Sequence, residues 1–195
     1  YKVTAPNKYD VKKLYEAGLC QAALLPNGVD IEAWRSHGRI EKNEVFTFVA
    51  VGRLEQQKGY DYLIKAAALL KPLAKVSFRV IIVGEGSQKP ALIELTKALH
   101  IESYFSFVGR KSVTQVQQLF SRADAAISPS LYETTPLTLL EAWAAGLATV
   151  VTKVGILRDA PADFAAAFVV PPMEENVLAE AMKECMENRS RRGAI

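Results

Sequence analysis

The sequence is poor in the residues that build metal centres and disulfide frameworks. Its 195 residues include two cysteines, Cys20 and Cys185, and two histidines, His37 and His100. The cysteines lie far apart, with no Cys-x-x-Cys pair and no clustered histidines, so we expect neither a disulfide framework nor a bound metal. A reducing cytoplasm is the compartment that best fits this cysteine usage.

Strong charge of one sign and long apolar runs are missing as well. The 24 basic and 21 acidic residues leave a net charge of +3, and scattered basic residues argue against a nucleic-acid partner. No run approaches the roughly 18 uninterrupted apolar residues of a membrane-spanning helix, and no signal peptide is recognised. Because the chain starts at Tyr1 instead of a methionine, we interpret it as a piece of a longer protein.

From Val45 onward, short apolar runs alternate with longer amphipathic stretches, which is typical of stacked βα units. Residues 80–83 are apolar at every position, which predicts a parallel sheet covered on both faces. We therefore expect an α/β fold with a Rossmann-like open sheet of about six parallel strands. The predicted strands are Phe46–Val51, Phe78–Val83, Tyr104–Val108, Ala123–Ser128, Ala148–Thr152 and Ala167–Val170. The predicted helices are Tyr60–Leu70, Pro90–Leu99, Thr114–Ser121, Leu137–Ala145 and Glu174–Glu187.

The beginning of the chain follows a different pattern. An amphipathic helix over 7–17 and a short strand over 22–25 precede a turn at 26–30. Packing against protein is favoured for this helix over a membrane surface. We assign residues 1–25 to the end of a preceding domain or to a connector, and residues 26–195 to the βα domain.

Ligands of open parallel sheets bind beyond the carboxyl ends of the strands, so the loops there are the first place to search. After the first predicted strand of the sheet, Gly52 and Gly59 bracket Arg53 and Lys58 ahead of a helix. Glycines let a phosphate approach the backbone, and the arginine fork and the lysine charge both suit phosphate oxygens. A glycine turn with two solvated bases explains this loop equally well.

The next two loops are less specific. Gly84 and Gly86 form a Gly-x-Gly, but Lys89 stands where the dinucleotide fingerprint needs its third glycine, which weakens an NAD site. A tight turn that admits a ligand or another loop is the alternative. Further on, Arg110 and Lys111 are candidates for lining a nucleobase slot. Alternatively, the residue after them, a serine, simply caps the next helix.

Two glutamates mark the segment after the fourth predicted strand. Glu133 lies in the loop, and Glu141 lies in the first turns of a helix that Pro136 can start. An ionised carboxylate accepts two hydrogen bonds in its plane and so suits the vicinal hydroxyls of a ribose or hexose. Without other context, a helix-dipole complement and a solvated loop residue are favoured for this pair.

The same helix start offers free backbone donors. Its first N–H groups belong to Leu137 and Thr138. Together with the Thr138 hydroxyl, they predict an anion site that faces Arg53 and Lys58.

Five motifs in this order resemble a known family. They are P-N-G-V-D at 26–30, G-R-L-x-x-x-K-G at 52–59, G-x-G at 84–86, F-V-G at 107–109 and E-x7-E-A-x-A-x-G from 133. Together they resemble the retaining glycosyltransferases of family 4, which have the two-domain GT-B architecture, over about Leu25 to Asp159. The resemblance implies that residues 26–195 are the carboxyl-terminal, donor-binding half, with a UDP- or GDP-sugar as donor, a hydroxyl acceptor and no metal requirement.

The resemblance also implies residue roles. Arg53 and Lys58 would hold the diphosphate, Glu133 would position the donor sugar through its hydroxyls, and Glu141 would bind the ribose. The remaining donor-binding positions implied are Gly52, Gly84, Gly86, Arg110, Lys111, Leu137 and Thr138.

Two departures from the family pattern touch the site. Residues 134–136 are Thr-Thr-Pro where members commonly have Gly-Phe-Gly, which we interpret as a trait that affects donor choice. The loop from Val154 to Asp159 lacks the usual Gly-Gly-x-x-Glu pattern, so its contacts are left unassigned.

The acceptor site, and any docking to a membrane face, would lie in the amino-terminal half of the full-length chain. We therefore expect this chain alone to bind nucleotide but to turn over poorly. An alternative is a sugar-nucleotide epimerase or hydrolase of the same architecture, with Glu133 and His100 as an acid pair. A degenerate module kept for protein contacts is disfavoured, because both cations and both glutamates are retained.

Overall fold

We describe the protein from a computed structural model that covers residues 3–19, 21–35, 45–158 and 167–188. His37, Cys20 and the arginine-rich tail from Arg189 lie outside these ranges. The chain begins with β1 (Val3–Ala5), α1 (Lys8–Glu16), β2 (Ala22–Leu24) and α2 (Ile31–Arg35). It continues with β3 (Phe46–Val51), α3 (Tyr60–Leu70), β4 (Phe78–Val83), α4 (Lys89–Ala98), β5 (Phe105–Phe107) and α5 (Val113–Arg122). The last elements are β6 (Ala125–Ser128), α6 (Leu137–Ala144), β7 (Ala148–Thr152), β8 (Ala167–Val170) and α7 (Glu175–Glu187).

Strands β3 to β8 form one parallel sheet in the order β5-β4-β3-β6-β7-β8, which confirms the predicted α/β fold and its six strands. Four strands have the predicted bounds. The other two are shorter because Tyr104 closes a 3₁₀ turn before β5, and Ala123 caps the end of α5 before β6.

Helices cover both faces of the sheet, as the continuous apolar strands predict. One face of the sheet, which includes Phe48 and Val80, packs against α3, α4 and α7. In α3 the residues Leu63, Ala67 and Leu70, spaced four and three positions apart, are fully buried on this side. The other face carries α2, α5 and α6 in a second apolar cluster.

The strand order places a crevice at one point of the sheet. The chain adds β4 and β5 on one side of β3, then crosses back and adds β6, β7 and β8 on the other side. The order therefore reverses between β3 and β6, and the crevice outside the carboxyl ends of these two strands is where such sheets bind ligands. The loops that begin at Gly52 and at Pro129 both open into this crevice.

The first elements stand outside the large sheet. β1 pairs in parallel with β2 in a separate two-stranded sheet, with Val3 opposite Ala22. The sequence analysis found α1 and β2 but missed β1, because three residues are too short for a recognisable alternation. Among the described residues, no helix combines the length and apolarity needed to cross a membrane.

A short helix that the sequence analysis missed, α2, connects the two parts. Asp30 accepts a hydrogen bond from the Ala33 N–H (3.1 Å), which fixes its first turn. Trp34 is buried, and its ring lies 5.4 Å from that of Phe120 on α5. Trp34 therefore anchors α2 in the apolar cluster on this face of the sheet.

Candidate functional site

Three loops at the carboxyl edge of the sheet surround one cavity of about 240 Å³. Five of the predicted site residues line this cavity, and they come from the loops after β3, β4 and β5. They are Gly52, Arg53, Gly84, Arg110 and Lys111. Glu85, which the sequence analysis did not select, also lines it. Site residues that are up to 59 positions apart in sequence thus line the same cavity, and three of them are cationic.

Gly84 brings two of these loops into backbone contact. Its φ is +141°, and a Cβ there would lie well under 3.0 Å from the Gly52 carbonyl oxygen. The Gly84 N–H donates to the Gly109 carbonyl (2.9 Å), and the Gly52 N–H donates to the Val83 carbonyl (3.0 Å). The Gly-x-Gly is therefore the tight turn proposed as the alternative to a dinucleotide fingerprint. Gly86 serves the same packing, since a Cβ there would overlap the Leu54 backbone.

The loop after β6 packs against the loop after β3. The Leu131 N–H donates to the Gln57 carbonyl (2.8 Å). Gly59 has a φ of +63°, and a Cβ there would lie well under 3.0 Å from the Pro129 carbonyl oxygen. These two backbone contacts place Lys58 directly opposite Glu133.

Lys58 and Glu133 form an ion pair between Nζ and Oε1. The side chains are 20% and 14% exposed, so the interpretation of Glu133 as a solvated loop residue is wrong. Burial and the positive charge of Arg53 lower the pKa of Lys58. The negative charge of Glu133 acts in the opposite direction and favours the charged ammonium of the half-buried Lys58.

Two buried side chains with hydroxyl groups, Ser130 and Thr152, support the turn that precedes Glu133, and the sequence analysis did not predict them. Ser130 is buried, and its Oγ lies 3.5 Å from Glu133 Oε1. The Thr152 hydroxyl donates to the Ser130 carbonyl and so fixes this turn to β7. Isolated serines and threonines carry no sequence signal for such a role, and Thr152 reaches this turn from a different strand.

Glu141 lies in the second turn of α6 and is half-buried. Burial raises the pKa of its carboxyl group. Leu137 and Thr138 open the helix as predicted, and Pro136 is its N-cap. Thr138 also lines a small internal cavity that Ser128 and Thr149 share, between the helix and the sheet.

In the loop after β5 the predicted serine cap is confirmed, while a nucleobase slot at Arg110 and Lys111 stays a prediction. Arg110 and Lys111 line the cavity, while Ser112 caps α5. The cap is reciprocal: Ser112 Oγ accepts from the Gln115 N–H (3.3 Å), and Gln115 Oε1 accepts from the Ser112 N–H (3.0 Å).

Asn7 links α1 to the loop that carries Glu133. Its Oδ1 accepts from the Asp10 N–H (2.8 Å) as the N-cap of α1, and its Nδ2 donates to the Thr134 carbonyl (3.3 Å). That carbonyl also accepts the Ile156 N–H (3.0 Å), from the loop that the sequence left unassigned. The amide of Asn7 is buried, and its contact with Thr134 joins residues 127 positions apart, which no local pattern indicates.

We expect Asn7→Ala to lower the free energy of unfolding by about 1 kcal/mol, because the helix loses its cap and the Thr134 carbonyl loses a donor. Urea unfolding followed by circular dichroism measures this. Asn7→Ser is the matched control: its hydroxyl keeps a cap acceptor and introduces no charge beside Asp10, whose carboxylate accepts from Asn7 Nδ2 (2.8 Å), so this variant should lose less. An unchanged urea midpoint in the alanine variant would contradict this account.

His100 lies far from Glu133, so the predicted acid pair of these two residues is wrong. It follows α4 with a φ of +53°, and its carbonyl accepts from Lys71 Nζ (2.9 Å) at the end of α3. α3 and α4 run back from the carboxyl edge of the sheet, so their ends lie at the opposite edge. Among the described residues, no group of three or more His, Cys, Asp and Glu side chains is placed to hold a metal ion.

Trp143 and Cys185 pack against apolar side chains and have structural roles. Trp143 packs against an apolar cluster, and its Nε1 donates to the Thr149 hydroxyl (3.1 Å). Cys185 is buried beside Met182 and Met186 on α7.

Comparison with known proteins identifies relatives of the whole chain. The sequence model of the family described as Glycosyl transferases group 1 matches residues 30–195. A glycogen synthase of Mycobacterium tuberculosis is 30% identical over 179 residues, which are 92% of this chain and 43% of that protein. A D-inositol 3-phosphate glycosyltransferase of Nocardia farcinica is 30% identical over 201 residues, which are 96% of this chain and 45% of that protein. The chain thus spans less than half the length of either relative.

Solved structures share the fold. Alr3699/HepE of Anabaena, solved in complex with UDP and with UDP-glucose, superposes with a TM-score of 0.84 at 21% identity. The match covers 98% of this chain and 56% of that chain. This likeness extends over β1 to β8 and agrees with a Rossmann-like domain of GT-B type.

Proposed function

The chain belongs to the group 1 glycosyl transferases, and we propose that it is the donor-binding domain of a retaining enzyme of this family. In this proposal a sugar passes from a UDP- or GDP-sugar to a hydroxyl acceptor. The observation that carries the proposal is the Lys58–Glu133 contact at the switch point, beside a cavity lined by Arg53, Arg110 and Lys111. Cationic side chains suit the oxygens of a diphosphate, and a carboxylate suits the hydroxyls of the sugar linked to it.

The chemistry follows from charge that develops on the leaving group. As the bond to the sugar breaks, negative charge grows on the diphosphate, and Arg53 and Lys58 stabilise it by charge-assisted hydrogen bonds. Glu133 accepts hydrogen bonds from hydroxyls of the donor sugar and positions it, and Glu141 does the same for the ribose. The proposal includes no metal ion, because these two cations supply the positive charge.

The nucleobase is assigned to the cavity between the loops after β3, β4 and β5. Arg110, Lys111 and Gly84 line this cavity. Complexes of HepE with UDP and UDP-glucose support a uridine nucleotide as the first choice to test.

The acceptor site is assigned to a part of the full-length protein that precedes this domain. In support, β1 and β2 form a separate pair outside the six-stranded sheet, and several apolar side chains there are exposed, namely Leu19, Leu24 and Leu25. We propose that these first elements belong to the acceptor-binding half, and that this chain alone binds nucleotide but transfers sugar poorly. Contact with a membrane face would likewise come from that half. No described feature favours the epimerase or hydrolase alternative.

The test is calorimetry of the 195-residue chain with UDP, GDP and ADP. We expect saturable binding of one uridine or guanine nucleotide. Failure of all three nucleotides to bind would contradict the proposal.

Glu141→Gln separates fold stability from nucleotide binding. Burial raises the pKa of Glu141, so its ionisation on the folded chain costs free energy. That cost is absent when the pH lies below the pKa of the glutamate in the unfolded chain, about 4.3. It reaches its full size once the pH exceeds the raised pKa of Glu141 in the folded chain. We therefore expect the amide variant to be at least as stable as the parent at pH 7, yet to bind nucleotide about tenfold or more weakly, since a hydrogen bond to a charged acceptor is lost.

Thermal unfolding at pH 4 and pH 7, with calorimetry at pH 7, measures both effects. The stability difference between variant and parent should shrink at the lower pH. A variant that is less stable at pH 7, or that binds nucleotide as the parent does, would contradict the assignment of Glu141.

A further inference from the structure

We propose that Glu133 makes the site discriminate between a sugar-loaded donor and the bare nucleoside diphosphate, by competing with the diphosphate for Lys58. This inference rests on the proposed function, which assigns Lys58 to the diphosphate and Glu133 to the sugar. It adds that the two assignments are coupled, because the structure pairs these groups with each other.

The pairing is set by the backbone. Leu131 is hydrogen-bonded to Gln57, and Gly59 lies in contact with the Pro129 carbonyl, so the loops that carry the two side chains are held together on either side of the pair. Both side chains are largely covered, at 20% and 14% exposure. A half-buried pair of this kind holds more firmly than an ion pair in open solvent.

The alternative partners of the two groups are few. Among the ion pairs of the described residues, Lys58 is the partner of Glu133 and no other cation contacts that carboxylate. The other group near it is the Ser130 hydroxyl, at 3.5 Å. A diphosphate that takes Lys58 therefore leaves Glu133 with one weak partner, and a half-buried carboxylate without a cation is costly.

The sugar removes this cost. A hexose on the diphosphate offers neighbouring hydroxyls, and the carboxylate can accept two of them in place of the ammonium. A bare nucleoside diphosphate offers none. The site therefore favours the loaded donor, and once the sugar has left, Glu133 competes again for Lys58 and promotes release of the nucleotide product.

Glu133→Gln tests this coupling, because the amide keeps the shape of the side chain but gives up the charge that binds Lys58. By calorimetry on the 195-residue chain, we expect UDP to bind about three- to tenfold more tightly than to the parent, since a half-buried ion pair is worth on the order of 1 kcal/mol. Affinity for a UDP-hexose should stay equal or fall, because the hydroxyls lose a charged acceptor. UDP-glucose, UDP-galactose and UDP-N-acetylglucosamine are the probes, and the tightest of the three is used.

The ratio of the two affinities excludes a general charge effect. Removal of any nearby negative charge would strengthen the binding of UDP and of UDP-hexose alike, because both ligands carry the same diphosphate. The coupling instead predicts that the preference for the sugar-loaded ligand shrinks in the variant. Equal strengthening of both ligands, or unchanged affinity for UDP, would overturn the inference.

Glu133→Asp gives a second measurement that does not depend on the amide variant folding. It keeps the charge but withdraws the carboxylate from Lys58 by one methylene, so UDP should again bind more tightly, by a smaller factor. UDP affinity equal to that of the parent would count against the coupling. Failure of the proposed function gives a different result, because then neither UDP nor GDP binds to the parent chain.

Discussion

Replacement of both Arg53 and Lys58 by alanine is expected to weaken nucleoside diphosphate binding by about 10²- to 10⁴-fold, since each charge-assisted hydrogen bond contributes roughly 1.5–3 kcal/mol. The two side chains flank the crevice from one loop, Arg53 on the wall of the cavity and Lys58 beside Glu133. Their removal leaves two negatively charged phosphates facing Glu133 with no neighbouring cation from this loop. Calorimetry with UDP and GDP measures the loss.

The matched control is Lys75→Ala with Lys183→Ala. These two lysines line a different cavity at the far ends of α3 and α7, so the pair removes the same net charge at the opposite edge of the sheet. We expect nucleotide affinity within about twofold of the parent for this control, because surface charges beyond a Debye length are screened. A double variant of Arg53 and Lys58 that binds as well as the control would remove the basis for the diphosphate site.

The single variant Arg53→Lys refines the interpretation. It keeps the positive charge but loses the planar fork that holds two oxygens at once. A loss of roughly tenfold is expected if Arg53 binds the diphosphate in this bidentate manner. A fully retained affinity would indicate that only the charge at this position matters.

The fold was largely predictable because its strands are buried on both faces. Continuous apolar runs such as Val80–Val83 leave little doubt about a strand, and four strands have the predicted bounds. The errors fall where tertiary contacts decide local structure. β1 is three residues long and exists through its pairing with β2, and α2 is held by the burial of Trp34 against Phe120.

The loops that line the cavity were predictable from the sequence, but the contacts between them were not. Glycines and cations after successive strands indicated which loops to choose, since parallel strands place these loops on one edge. That Lys58 and Glu133 touch depends on the contact of Gly59 with the Pro129 carbonyl, which joins loops from strands that are neighbours only in space. The role of Asn7 was hidden for the same reason. Conversely, Glu133 and His100 looked compatible in sequence, and the topology separates them.

Gly84→Ala is expected to lower the free energy of unfolding by more than about 2 kcal/mol and to abolish nucleotide binding, because two costs add. The first is conformational: a φ of +141° is a conformation that residues with a Cβ rarely adopt. The second is steric, since the new methyl would overlap the Gly52 carbonyl and force apart the loops that line the cavity. Urea unfolding and calorimetry with UDP measure the two effects on the same preparation.

Gly146→Ala is the control that separates these two costs. Gly146 also has a positive φ, +71°, but nothing lies within 4 Å of a Cβ built there. It should therefore show only the conformational cost, about 1 kcal/mol, with nucleotide affinity unchanged. If Gly84→Ala were no more destabilising than Gly146→Ala and still bound UDP, the close approach of Gly84 to Gly52 would not be what shapes the nucleotide cavity.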